Sequence, residues 1–347
     1  MISRERVNSI LSTLPRLTIG LVGDLFLDRY LELVPGAEEL SIETGVEAWQ
    51  VERVRNSPGA LGTVMNNLAA LGVGLLTPAT VIGDDGNGYD LLREVRKLPV
   101  DASQLMCLRD RLTPTYTKPM RPLADGGWQE LNRLDFRTRE PLSIEAIVEL
   151  CGRVAHVFRS SDGVIVLDQV VEEEEGVVNQ AVRETLAELQ RKRPDKLVFV
   201  DSRQRLSQFA FGVLKGNNAE IIRAGQALGG ATGEPSAEAS ARRLAERTGR
   251  TVFCTQGEQG ILVTHAPPDA QLVPGCPIDG PVDIVGAGDA ATSGIVAALL
   301  AGATPTEAAA FGNLVASITV QQLGTTGTAT PDQVRARWEE VYGAASR

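Results

Sequence analysis

From Leu142 onward the chain alternates short apolar runs with longer helical stretches, and few architectures accommodate that rhythm. The apolar runs fall at 164–167, 197–200, 212–214, 251–254 and 260–263. Runs of this length, apolar on both faces, predict strands of a parallel sheet, with the intervening helices as crossovers. The N-terminal part adds a short helix, a run at 18–22, a helix ending near Leu71, and a run at 75–82 that opens through the Gly-rich loop 83–88 into another helix. Helices of small residues are predicted from about Ala287 to Leu300 and from Pro305 to Gln322. Aromatic residues make up only 4% of the chain against 43% hydrophobic residues, a mixture that suits helices packed on a sheet better than a β-sandwich. No repeat or linker divides the 347 residues, so one α/β domain over 1–347 is predicted.

Two segments break the rhythm. In 41–56, Val46, Ala48, Val51 and Val54 are spaced by polar residues around Trp49, the pattern of a half-buried antiparallel strand. In 115–137, Tyr116, Lys118, Met120, Leu131 and Leu134 alternate around a turn at 124–127, which reads as a hairpin. The predicted fold is a doubly wound, mainly parallel sheet with a small antiparallel β lid.

Composition removes several functional classes. A net charge of −10 argues against nucleic acid or an anionic membrane as partner. The N-terminus carries no apolar signal core and no run approaches the ~18 residues that span a membrane, which predicts a cytoplasmic protein. The four cysteines, Cys107, Cys151, Cys254 and Cys276, form no CxxC and read as buried thiols. With two histidines, a His-rich metal site is excluded. Neither a Gly-x4-Gly-Lys-Ser/Thr phosphate loop nor a Gly-x-Gly-x-x-Gly after the first strand is present.

The chemistry concentrates in Asp283-Ile284-Val285-Gly286-Ala287-Gly288-Asp289, which leads into a helix. The first N–H groups of a helix are unpaired, and with the helix dipole they form an anion site. Glycines let a phosphate come close to that backbone. A carboxylate at the same place would repel a resting phosphate, but it suits a base that receives the proton of an attacking hydroxyl. For the motif alone, an Asp capping a Gly-rich turn is an equal reading. Asn217 and Glu220, three apart at a helix start, share one face, where a carboxylate can hold Mg²⁺ through water; an ordinary capped helix start is the plain alternative. The loop 255–260 after a buried strand is otherwise a simple β-turn.

Taken together these elements resemble the PfkB carbohydrate kinases, which have the ribokinase-like fold. Residues 283–289 are similar to that family's D-T-V-G-A-G-D signature, with Ile284 for Thr; the resemblance implies Asp289 as catalytic base, Gly286, Ala287 and Gly288 as anion hole, and Asp283 beside a monovalent cation such as K⁺. Asn217-x-x-Glu220 resembles the N-x-x-E element, with Glu220 toward Mg²⁺. Thr255, Gly257 and Gly260 resemble the T-x-G-x-x-G nucleotide loop that binds ATP, and Asp201-Ser202-Arg203 the Asp-Pro-Lys/Arg element. Asp28, in Gly23-x4-Asp28, falls where the family has its sugar-binding Asp, with Asp24 a second candidate. Gly59 and Thr63 occupy the first signature, where Ala60 and Thr63 replace a Gly and an Asn.

Three further segments resemble the kinase domain of ADP-heptose synthases: 23–30 (G-D-x-x-L-D-R-Y), Ser41-Ile42-Glu43, and the hairpin with Lys118, Arg121, Gln129, Glu130, Arg133 and Asp135; 322–325 also fits. That resemblance implies heptose 7-phosphate as substrate, phosphorylated at O1, with Lys118, Arg121 and Arg133 binding its phosphate. The partners implied are a sugar or sugar phosphate and ATP, with a homodimer joined through the lids. A kinase for ribose, fructose or a nucleoside, or a non-catalytic relative, stays open from the residues alone.

Overall fold

The computed structural model describes residues 2–36, 39–124, 126–229, 236–265, 270–324 and 326–343. Two called positions, Asp125 of the lid turn and Thr325 of the C-terminal segment, lie outside them.

The apolar runs assemble into one nine-stranded sheet. From one edge its strands are Ala270–Val273, Ile261–Thr264, Val252–Thr255, Val213–Asn217, Leu197–Ser202, Gly163–Asp168, Thr18–Gly23, Leu75–Gly83 and Leu105–Leu108. Pairing is parallel from Leu105–Leu108 to Val252–Thr255, and antiparallel only at the last two strands. Helices cover both faces, as the two-sided burial of Thr18–Gly23 and Gly163–Asp168 requires. Helices Arg4–Thr13, Leu61–Ala70, Ala287–Leu300, Pro305–Thr319 and Pro331–Tyr342 bury one apolar cluster. Helices Ile144–Ser160, Gln180–Lys192, Asn218–Ala227 and Ala237–Thr248 bury the other.

Strand order reverses at Thr18–Gly23. The chain moves to one side for 75–83 and 105–108, then returns to the other for 163–168 and the strands after it. Ligands of open α/β sheets bind outside the carboxyl ends of the strands at such a switch point. Here those ends carry Asp24, Asp168, Arg203 and Asn217.

The lid is a second sheet, ordered Leu134–Phe136, Thr115–Pro122, Leu25–Leu33, Val51–Ala60, with Trp128–Glu130 paired to Thr115–Pro122. Both lid segments are present, and a third joins them. Residues 25–33, read as the outrun of the first strand, form the central lid strand, and their pairing with Thr115–Pro122 is parallel. Residues 47–48 pair with 39–40 in a separate ribbon. The expected half-burial holds for Ala48, Trp49, Tyr116, Met120 and Leu131, but Val46, Val51, Val54 and Leu134 are exposed. The cysteines also depart from expectation. Cys254 and Cys276 are buried, but Cys151 is only half-buried and Cys107 is exposed.

Candidate active site

The turn 283–286 delivers the chain into helix Ala287–Leu300 with Gly286 as N-cap at φ +80°, a left-handed conformation that glycine adopts without strain. The N–H of Ala287 closes the turn on the Ile284 carbonyl, and that of Ala290 bonds the Gly286 carbonyl. The N–H groups of Gly288 and Asp289 have no backbone partner among the described residues, so they are the donors this turn offers to an anion. Asp283 fixes the turn from behind, accepting from the N–H of Val285 at 3.0 Å and of Gly324 at 3.0 Å.

Asp289 stands at the third position of the helix, and its carboxyl is pushed up to about 7. Burial is the main cause and the Asp201 charge the second; Lys215 and Arg203 oppose them, and Asp28 adds a smaller upward push. A carboxyl poised near neutrality is suited to exchanging a proton with a hydroxyl.

Asp28 lies in the lid strand facing this turn. It is buried, with Lys118 Nζ 2.9 Å from Oδ1, and Lys118 also donates to the Tyr30 hydroxyl at 3.3 Å. Gly59, two residues along from Asp28's cross-strand partner Ser57, has no room for a side chain: a Cβ would stand 2.4 Å from Asp28 Oδ2. Thr63 is buried in the first turn of helix Leu61–Ala70, its methyl 3.5 Å from where a Gly286 side chain would begin. Ala60, the N-cap of that helix, holds φ +52° and ψ −114°, a conformation natural to glycine and strained for alanine.

Asp24 is engaged within the fold. It is buried, and its oxygens accept the N–H groups of Gln169, Val170 and Val177 at 2.9, 3.0 and 2.8 Å. The carboxylate therefore ties the loop after strand Gly163–Asp168 to the splice between the two sheets. Two of the lid cations are engaged as well. Arg133 holds Asp135 through two hydrogen bonds of 2.6 and 2.9 Å and stacks 4.2 Å over the Tyr116 ring. Arg121 lies 4.6 Å over the Trp49 ring. Of the three expected phosphate ligands, only Lys118 faces the site, and it is paired with Asp28.

The cations that do converge come from elsewhere in the sequence. Beside Asp24 and the 169–177 loop lies a pocket lined by Phe26, Tyr116, Arg111, Arg137 and Arg203, with Glu172 and Glu175 also in its wall. Arg111 spends its hydrogen bonds on the carbonyls of Glu175 at 2.6 Å and Glu140 at 3.3 Å. Arg137 reaches Asp135 at 3.3 Å and Glu172 at 3.5 Å. Arg203 has no side-chain partner among the described residues, and its charge acts on Asp289, Glu220 and Tyr116 alike. It thus stands between the cavity and the Gly-rich turn. Arg203 belongs to the Asp201-Ser202-Arg203 element, whereas no short motif marks Arg111 or Arg137, and each of the three lies in a different connection.

On the other side of the turn, Asn217 and Glu220 form a reciprocal cap. Asn217 Oδ1 accepts the Glu220 N–H at 3.0 Å, and Glu220 Oε2 accepts the Asn217 N–H at 2.8 Å. Burial and Asp201 raise the Glu220 carboxyl above its usual range. Thr255 sits in register beside Asn217, its hydroxyl 3.4 Å from the Gly216 carbonyl, and Gly257 opens the short turn that Gly260 closes against Val273. Beneath the turn, Lys215 and Asp201 form a buried ion pair at 2.7 Å. Among the described residues no three carboxylate, His or Cys side chains are grouped to cage a metal directly. A single carboxylate such as Glu220 fits Mg²⁺, which keeps waters and shares its ligands with phosphates.

Residues 137–333, more than half of the chain, match the family described as pfkB family carbohydrate kinase. The chain belongs to this family. As a PfkB member it is a phosphotransferase with an alcohol group as acceptor. It is 27% identical over 348 residues to the bifunctional protein HldE of Trichlorobacter lovleyi, covering 95% of this chain and 65% of that protein. To HldE of Pelobacter propionicus it is 28% identical over 343 residues, covering 96% and 66%. The chain thus spans about two thirds of the length of these relatives. Its fold is that of Arabidopsis thaliana ribokinase, solved with ribose and ATP, at a TM-score of 0.66 and 17% identity over 92% of this chain and 98% of that one. No helix among the described residues is long and apolar enough to cross a membrane.

Proposed function

We propose that this protein transfers the γ-phosphoryl group of ATP to a hydroxyl of a phosphorylated sugar, with heptose 7-phosphate as acceptor and O1 as the position. The observation that carries the reading is the pocket at the sheet's switch point, where Arg111, Arg137 and Arg203 converge in a chain of net charge −10. Guanidinium groups are suited to a phosphate dianion. The similarity to HldE and the opening Gly23-Asp24-Leu25-Phe26-Leu27-Asp28-Arg29-Tyr30 favour a heptose over a smaller sugar.

In this reading Asp28, paired with Lys118, accepts hydrogen bonds from the sugar hydroxyls and orients them. Asp289 receives the proton of the attacking hydroxyl as the new O–P bond forms and the bond to the β-phosphate oxygen breaks, releasing ADP. The N–H groups of Gly288 and Asp289 stabilise the charge on the phosphoryl oxygens. Asn217, Glu220, Thr255, Gly257 and Gly260 border the nucleotide, with Glu220 holding Mg²⁺ through water. When bound, Mg²⁺ supplies positive charge to the phosphates. A monovalent cation such as K⁺ beside the 283–286 turn belongs to the same reading, with Asp283 shaping its loop. The exposed Leu40, Ile42 and Val46 of the 39–48 ribbon, with Val51 on the lid's edge strand, are the surface for a second copy of the chain.

An ADP-release assay with Mg-ATP across neutral and phosphorylated sugars tests this. Turnover confined to heptose 7-phosphate, with KM raised at least tenfold by Arg203→Ala, is the expected result. Turnover with neutral sugars or nucleosides, unaffected by Arg203→Ala, would discard the sugar phosphate. Silence across the panel with ATP still bound would favour a non-catalytic relative.

A further inference from the structure

Lys215 is almost fully buried, an expensive place for an ammonium. Its Nζ lies 2.7 Å from Asp201 Oδ2, and the same oxygen accepts the hydroxyl of Thr292 at 3.1 Å. Thr292 is buried one turn beyond Asp289 on the helix that the Gly-rich turn begins. Asp201 ends strand Leu197–Ser202, and Lys215 lies on the neighbouring strand, directly opposite it in register. The three side chains therefore fasten the helix start to the carboxyl ends of two central strands. The ammonium also reaches the turn itself: a Cβ at Gly288 would stand 3.2 Å from Lys215 Nζ. A side chain at position 288 would press on the ammonium, which glycine leaves close to this backbone.

Resting on the assignment of this turn as the phosphoryl site, we propose that Lys215 is a positioning residue for transfer: Asp201 and Thr292 hold its ammonium beneath the Gly288 peptide, where it supplies the fixed positive charge of the anion hole. The rival role is purely structural, namely neutralising the buried Asp201. Charge and hydrogen bonding preorganised around a transferred group act on the transition state more than on the resting substrate. The loss should therefore appear in kcat rather than in KM.

The test compares Lys215→Met with the double variant Asp201→Asn, Lys215→Met. The single variant leaves Asp201 buried and unpaired, so its instability alone decides nothing. The double variant removes both charges and keeps the packing, and a thermal melt checks that it folds. If the ammonium serves the anion hole, the folded double variant turns over about 10²-fold more slowly, with KM for ATP and for acceptor within a few-fold of the parent. Recovery of near-parental kcat in the double variant would overturn the proposal and leave Lys215 as the counter-charge of Asp201. Asp289→Asn, measured alongside, separates the two levels: if it too keeps full turnover, the assignment of the turn has failed rather than that of Lys215.

Discussion

Lys118 and Asp28 pair at 2.9 Å across the parallel seam of the lid, so the lid's one site-facing cation is bound to its one site-facing carboxylate. In the proposed reading Asp28 orients the sugar, and Lys118 is its buried counter-charge. Lys118→Met is expected to leave a buried carboxylate unpaired, raising the acceptor KM by about tenfold or more, since breaking such a pair costs roughly 3–5 kcal/mol. KM for ATP should hold. Initial-rate kinetics with each substrate varied in turn checks this.

Asp289 gives a pH signature. Its carboxyl is pushed up to about 7, and a base works only when ionised. The kcat/KM profile is therefore expected to fall as pH drops through about 7, where an unperturbed carboxylate would stay active to the low fours. Asp289→Asn should lose about 10³-fold in kcat. The same shift has a stability consequence of opposite sense to a salt-bridged Asp. The folded protein holds this proton more tightly than the unfolded chain, so the cost to stability grows as pH rises from about 4 and is full above about 7. Asp289→Asn should raise the melting temperature more at pH 8 than at pH 5.

Ala60 sits at φ +52°, where the family signature has glycine. Ala60→Gly should relieve strain of roughly 1–3 kcal/mol, less the roughly 0.5–1 kcal/mol that glycine loses in chain entropy. A higher melting temperature by calorimetry is the expected result. Gly59→Ala should do the reverse to function, since its Cβ would fall 2.4 Å from Asp28 Oδ2 and displace that carboxylate.

Asp24→Ala should destabilise the protein by about 2–4 kcal/mol, because three backbone donors lose their acceptor. Chemical denaturation measures this. An effect on acceptor KM with no loss of stability would instead restore Asp24 as a direct sugar ligand.

The fold was legible because parallel strands buried on both faces leave long apolar runs, and the Gly-rich turn because its residue types serve one chemistry. Asp24 and Asp28 look equivalent in sequence, four apart along an apolar stretch. The strand breaks at Asp24, however, and restarts in the other sheet, so alternation counted from Thr18 cannot assign both. The contacts of the lid cations were illegible for a related reason. Arg133 is held by Asp135 of the same hairpin, and Arg121 lies over Trp49 of the other lid segment, a contact that alternation along the hairpin does not show. Arg111, Arg137 and Arg203 meet only because crossovers bring three distant connections to one end of the sheet. The buried thiols and half-buried lid strands were read from composition and alternation, which do not tell a covered face from an uncovered one.

Strand Thr18–Gly23 passes into Leu25–Leu33 through Asp24 alone, and Asp24 is moored to the loop at 169–177. The splice works as a fulcrum with a third anchor. The strand that carries Asp28 and the loop that walls the arginine pocket thus share one tie, the Asp24 carboxylate.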